Sequence, residues 1–145
     1  MNPKVAIAVA EFNATITEGL LEGALAECKA LGTDLPTIVT VPGAFELPVV
    51  ARALLDTHDC VIALGAVIEG ETDHYTHIAT QCAAGLQQVA VTTGKPVAFG
   101  VLTVRRIEHA VERSRPGPGN KGAEAARAAV ETARALMRGA SGDGW

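Results

Sequence analysis

Four short apolar runs, at residues 5–10, 37–41, 60–65 and 97–102, recur along the chain with helix-length stretches between them. A strand with one wet face alternates polar and apolar residues, and these runs do not. Residues 5–10 are apolar throughout, and residues 37–41 are β-branched throughout. Strands of this kind are buried on both faces, which happens in parallel sheets covered by helices on each side. The order therefore predicts a flavodoxin-like three-layer α/β/α domain around a small, about four-stranded parallel sheet. A single domain over 1–138 accounts for the pattern, with 139–145 expected to be a disordered tail.

The stretches between the runs carry helix punctuation. Thr15 and Glu18 form a T-x-x-E capping box, predicting a helix with Ile16, Leu20, Ala24, Leu25, Cys28 and Leu31 inward and Gly32 at its end. Pro48 suits the first turn of a second helix. Ile78, Cys82, Leu86 and Val89 mark a third at helical spacing. A short helix over 107–113, a break holding Pro116 and Pro118, and an alanine-rich helix over 121–137 complete the chain. So thin a last helix predicts that subunit contacts bury some of the remaining apolar surface.

Composition removes several classes of function. A net charge of −4, with no basic run longer than Arg105-Arg106, excludes a nucleic-acid footprint. No apolar stretch approaches the roughly 20 residues that span a bilayer. Met1-Asn2-Pro3-Lys4 leads straight into the first run with no signal peptide, so a cytoplasmic protein is expected. The odd number of cysteines, Cys28, Cys60 and Cys82, suits reduced thiols in that compartment.

In a parallel sheet, whatever follows each strand lies on one edge, where open α/β sheets bind ligands. Phe12 and Asn13, then Ala44, Phe45 and Glu46, then residues 66–74, and finally Thr103 meet there. His74 is the candidate for proton transfer, because a histidine titrates near neutrality; a surface histidine at a helix start fits the same pattern. Thr72 and the helix N-terminus suit an anion. Glu69, Glu71 and Asp73 oppose one by charge. His74 and His77 share a face, but a pair without a third ligand predicts no metal site. His58 and His109 read as exposed helix residues. G-x-G-x-x-G over 117–122 follows a helix rather than a strand, and Pro118 lacks a donor, so it reads as an interhelical turn. Arg113, Arg115 and Lys121 surround that turn.

The chain also resembles the lumazine synthase family, through motifs spread over nearly its whole length. These are Phe12-Asn13, V-P-G-A-F-E-L-P over 41–48, A-L-G-A-V-I over 63–68 with G-x-T-x-H-Y over 70–75, F-G-V-L-T over 99–103, E-x-A-x-E-R over 108–113 and G-N-K-G-x-E-A-A over 119–126. The resemblance implies a metal-free and cofactor-free condensation of 5-amino-6-(D-ribitylamino)uracil with 3,4-dihydroxy-2-butanone 4-phosphate. It implies that Phe12 stacks on the pyrimidine, that Ala44, Phe45 and Glu46 hold the ring and ribityl chain, and that Ala66, Val67 and Ile68 offer backbone contacts. Glu71, Thr72 and Arg113 would hold the phosphate and His74 would move protons. Phe99 would reach in from a neighbouring subunit, with Lys121 nearby. It further implies a homopentamer, alone, paired as a decamer or built into an icosahedral shell, with riboflavin synthase as a possible partner.

Some positions depart from the family pattern. Val104-Arg105-Arg106 and His109 replace common residues, residues 114–118 replace a turn linked to shell packing, and little precedes the first run. Two other occupants of the fold are an archaeal-type riboflavin synthase, opposed by the intact G-x-T-x-H, and a non-catalytic shell or flavin-binding module. The joint presence of Phe12, Glu46, His74 and Arg113 opposes the second.

Overall fold

The computed structural model describes residues 2–145. Strand β1 (Val5–Ala10) leads into helix α1 (Ala14–Ala30), and β2 (Thr37–Val41) into a 3-10 turn (Ala44–Glu46) and α2 (Leu47–Leu54). Strand β3 (Cys60–Ile68) precedes α3 (His74–Thr93); β4 (Val97–Val104) precedes α4 (Ile107–Ser114) and α5 (Lys121–Ser141). The sheet order is β2-β1-β3-β4 with every pairing parallel. The order reverses between β1 and β3, which opens a crevice above their carboxyl ends. Among the described residues, no helix is long and apolar enough to cross a membrane.

The period-2 geometry of strands sorts the core into two layers. Val5, Ile7, Val9, Ile62 and Leu64 pack with Leu20 and Ala24 of α1 and with Ala126, Ala129 and Val130 of α5. Ala6, Ala8, Ala10, Val61 and Ala63 pack with Leu47 and Ala51 of α2 and with Cys82 and Leu86 of α3. The alanines of α5 permit close approach. A Cβ on Gly122 would collide with the backbone of Leu20, so α5 crosses α1 almost backbone to backbone. Asn120, which is buried, pins this crossing. Its Oδ1 accepts from the Ala123 N–H (3.0 Å), and its Nδ2 donates to the carbonyls of Gly19 (3.2 Å) and Arg115 (2.9 Å).

Six expectations need correction. The first concerns β2, which at the sheet edge is exposed at Thr37, Ile38 and Thr40 rather than buried on both faces. The capping box does not form: Asn13 is the N-cap, and its own carbonyl accepts the N–H groups of Ile16 and Thr17, placing Thr15 inside the first turn. Strand β3 passes Gly65 and runs to Ile68, because β4 extends beside it to Val104 and pairs Ala66, Val67 and Ile68 with Leu102, Thr103 and Val104. Strand β4 is correspondingly two residues longer than 97–102. His58 is neither helical nor exposed. It is 6% accessible, with Nε2 2.9 Å from Thr37 Oγ1 and Nδ1 3.0 Å from the Leu54 carbonyl. Helix α5 continues into the expected tail as far as Ser141, where Gly142 at φ 82° closes it. His109, by contrast, is an exposed residue of α4 as expected.

The three cysteines are free and buried. Burial pushes the Cys60 thiol up to about 12, helped by Cys28 and Asp59, and the Cys82 thiol up to about 11; Cys28 is also raised, chiefly by burial. A thiol that ionises near 9 when unfolded and later when folded favours unfolding only above that value. Stability owed to these groups should therefore hold through neutral pH and fall as pH rises from 9 towards 12. Iodoacetamide at pH 8 should label the native chain far more slowly than the urea-unfolded chain, as mass spectrometry would record. Equal labelling rates would contradict the burial.

Candidate active site

A cavity of about 820 Å³ opens at the carboxyl edge of the sheet, beside the crevice between β1 and β3. Its size suits a small-molecule ligand. The loop after β1 contributes Phe12 and Asn13; Phe12 is 72% exposed, an unusual place for a phenylalanine with nothing to cover it. The segment after β2 contributes Pro42, Gly43 and the 3-10 turn carrying Ala44, Phe45 and Glu46. Residues Ala66, Val67 and Ile68, at the end of β3, form a further wall. Gly70, Thr72 and the first turn of α3, with His74, Tyr75 and Ile78, complete the lining.

The start of α3 follows from its local sequence. The Thr72 Oγ1 accepts the His74 N–H (3.3 Å), a hydroxyl turn that satisfies one of the donors a helix start leaves open. His74 is thereby the first helical residue and lines the cavity. The remaining first-turn N–H groups and the positive end of the helix dipole favour an anion here.

The charge conflict noted above is partly offset. Arg105 Nε lies 3.6 Å from Glu69 Oε2, and His77 Nε2 lies 3.4 Å from Asp73 Oδ2, the latter pair being ionic only when His77 is protonated. The Glu69 N–H donates to the Val104 carbonyl (2.9 Å), which fixes the loop beside Arg105. These contacts are exposed and salt-screened, so they soften the local field and add little stability.

The expected site residues divide into two groups. Phe12, Ala44, Phe45, Glu46, Ala66, Val67, Ile68, Thr72 and His74 line one cavity. Glu71 is exposed in the adjoining loop. Phe99, Arg113 and Lys121 are outside it. Phe99 is 39% exposed on edge strand β4. Arg113 is exposed on α4, donating to the His109 carbonyl (3.0 Å), and Lys121 opens α5 paired with Glu124 (2.9 Å). Sequence reasoning put Asn13 on this edge without a task there, and it did not assign Tyr75 or Ile78 to the site. Asn13 carried a usable signal, because asparagine directly before a helix tolerates the left-handed conformation.

A second hollow, about 720 Å³, lies between α1 and the turn that holds the G-x-G-x-x-G letters. Gly117 and Gly119 take φ 96° and 91°, as an interhelical turn needs. Three of its charged wall residues are paired: Arg127 with Glu27 and with Glu131 outside the hollow, and Glu124 with Lys121.

A parallel sheet in this order, with a largely apolar cavity at its point of reversal and a histidine at the helix start, defines a flavodoxin-like domain with a pocket of small-molecule size. The family model described as 6,7-dimethyl-8-ribityllumazine synthase matches residues 2–137, and the chain belongs to that family. A protein of that name from Yersinia pestis (strain Pestoides F) is 50% identical over 135 residues, covering 90% of this chain and 86% of its own. The like-named protein of Yersinia pseudotuberculosis serotype O:1b (strain IP 31758) matches with the same figures.

Proposed function

We propose that this chain condenses 5-amino-6-(D-ribitylamino)uracil with 3,4-dihydroxy-2-butanone 4-phosphate to 6,7-dimethyl-8-ribityllumazine, the penultimate step of riboflavin biosynthesis. The observation that carries the reading is the convergence of Phe12, Glu46, the β3 end and His74 on one cavity, in a member of that family.

The ring amine attacks the ketone and water leaves to give an imine. Phosphate is then eliminated, and the ribitylamino nitrogen closes the second ring with loss of water. No electron or hydride is exchanged, so acid–base groups and positioning suffice. Phe12 stacks on the pyrimidine, Ala66 to Ile68 offer backbone donors and acceptors to its edge, and Ala44 to Glu46 hold the ribityl side. Thr72 and the Glu71 N–H hold the phosphate, which keeps the Glu71 carboxylate out of the contact. His74, between the two subsites, takes and returns protons.

Arg113, Phe99 and Lys121 complete the site from a neighbouring copy in a cytoplasmic pentamer, singly, as a decamer or in a shell, and riboflavin synthase is the natural consumer of the product. Exposed Phe99, Val91, Ile107 and Val111 supply apolar surface for such contacts.

The direct test is to mix the chain with both substrates and follow lumazine fluorescence. No product above the uncatalysed rate would leave a non-catalytic member of the fold. Arg113→Ala should raise the phosphate-substrate KM about ten-fold or more and the pyrimidine KM less than about two-fold. Equal effects on both would remove Arg113 from the phosphate subsite. With the sugar phosphate held well below the variant's KM, co-refolded Arg113→Ala and His74→Ala chains should recover about a quarter of the native rate, because random pairing reunites two intact halves in that share of interfaces.

A further inference from the structure

Among the described residues, Asn13 is the one non-glycine with positive φ (φ 64°, ψ 50°). An L residue held there is disfavoured, and such a conformation persists where the surroundings over-determine it. They do so on three sides. The Glu11 and Phe12 N–H groups donate to the carbonyls of Val41 (2.8 Å) and Pro42 (3.1 Å), tying the β1 exit to the β2 exit. The Asn13 carbonyl starts α1. The Asn13 Nδ2 donates to the Ala66 carbonyl (2.9 Å), tying the β1 exit to β3.

The last of these bonds lies where the ladder has already stopped. Pairing between β1 and β3 ends at Val9 with Leu64, so Ala66 lies two residues beyond the last paired position. The Asn13 side chain spans the crevice there, joining the residue that follows Phe12 to the strand end at 66–68. Both walls line the cavity.

We propose that Asn13 is a positioning residue for the pyrimidine, setting the separation between the Phe12 ring and the Ala66–Ile68 backbone so that one flat heteroaromatic ring fits between them. This rests on the reading of that cavity as the pyrimidine site. Stacking and edge hydrogen bonds both fall off steeply with distance and angle. A loosened gap therefore weakens pyrimidine binding and leaves the phosphate end, held by Thr72 and the α3 start, unchanged.

Two variants separate the side-chain bond from the backbone. Asn13→Gly keeps the left-handed conformation and deletes the donor. Asn13→Asp keeps the shape and sets an oxygen against the Ala66 carbonyl. Each should raise the pyrimidine KM about ten-fold while the phosphate-substrate KM stays within about two-fold. In a Phe12→Ala background, adding Asn13→Gly should cost less than about two-fold, since the ring it positions is gone. A native pyrimidine KM in both variants, a joint rise of both KM values, or a full ten-fold effect in the Phe12→Ala background would overturn the proposal. Absence of product from the unaltered chain would instead overturn the reading of the reaction, and this inference with it.

Discussion

His74→Ala should lower kcat by about 10²–10⁴-fold, the range typical of removing a positioned acid–base group, while both KM values move little. The imidazole is exposed at the first position of α3 and contributes to no buried cluster. The helix start depends on the residue's backbone N–H, which still donates to Thr72 in the variant. Circular dichroism and the thermal midpoint should therefore match the native chain, which isolates the chemical step. Turnover at the native rate would assign the proton transfers elsewhere. The other titratable side chains on the cavity wall are Glu46 and Tyr75, so those two would be tested next.

The largest effect on stability is expected from Gly122→Ala. The added methyl meets the carbonyl oxygen, carbonyl carbon and Cα of Leu20, all backbone atoms that cannot rotate away. Either α5 lifts from α1, opening the layer that contains Ala126, Ala129 and Val130, or the first turn of α5 distorts. Overpacking of this kind costs about 3 kcal/mol, or roughly 10 °C in thermal midpoint for a chain of this size. Gly70→Ala is the control, since a Cβ there meets nothing and its backbone is not left-handed; it should change stability by less than about 0.5 kcal/mol. Urea unfolding monitored by circular dichroism would compare the two. A native midpoint for Gly122→Ala would mean that the helices have slack at their crossing.

The layers and the strand directions were legible because they follow from continuous apolar runs alternating with helical spacing. β1 and β2 occupy the expected residues, 5–10 and 37–41. The ends of β3 and β4 were harder to read. Gly65 looks like punctuation in a single strand, and only pairing with Val101 shows that it lies within one. His58 was misread because its sequence neighbours are polar, whereas its burial comes from Thr37, 21 residues earlier. The cavity residues were legible for a simpler reason: a parallel sheet places the residue after each strand on one edge. The position of Phe99, Arg113 and Lys121 relative to that edge depends on the path of β4, α4 and α5, which local pattern does not specify.

The α1–α5 crossing also bears on how the protein is made. The sheet face carrying Val5, Ile7, Ile62 and Leu64 is covered by α1 and, from the far end of the chain, by α5. During synthesis that face stays half open until residues 121–141 leave the ribosome, although β1, β2 and β3 are already in place to pair. Asn120 joins the carbonyl of Gly19, 101 residues earlier, so the closing contact is among the longest-range in the fold. This half of the core therefore closes only once α5 has emerged, and a ribosome stalled before that helix would present a sticky, aggregation-prone sheet to the cell.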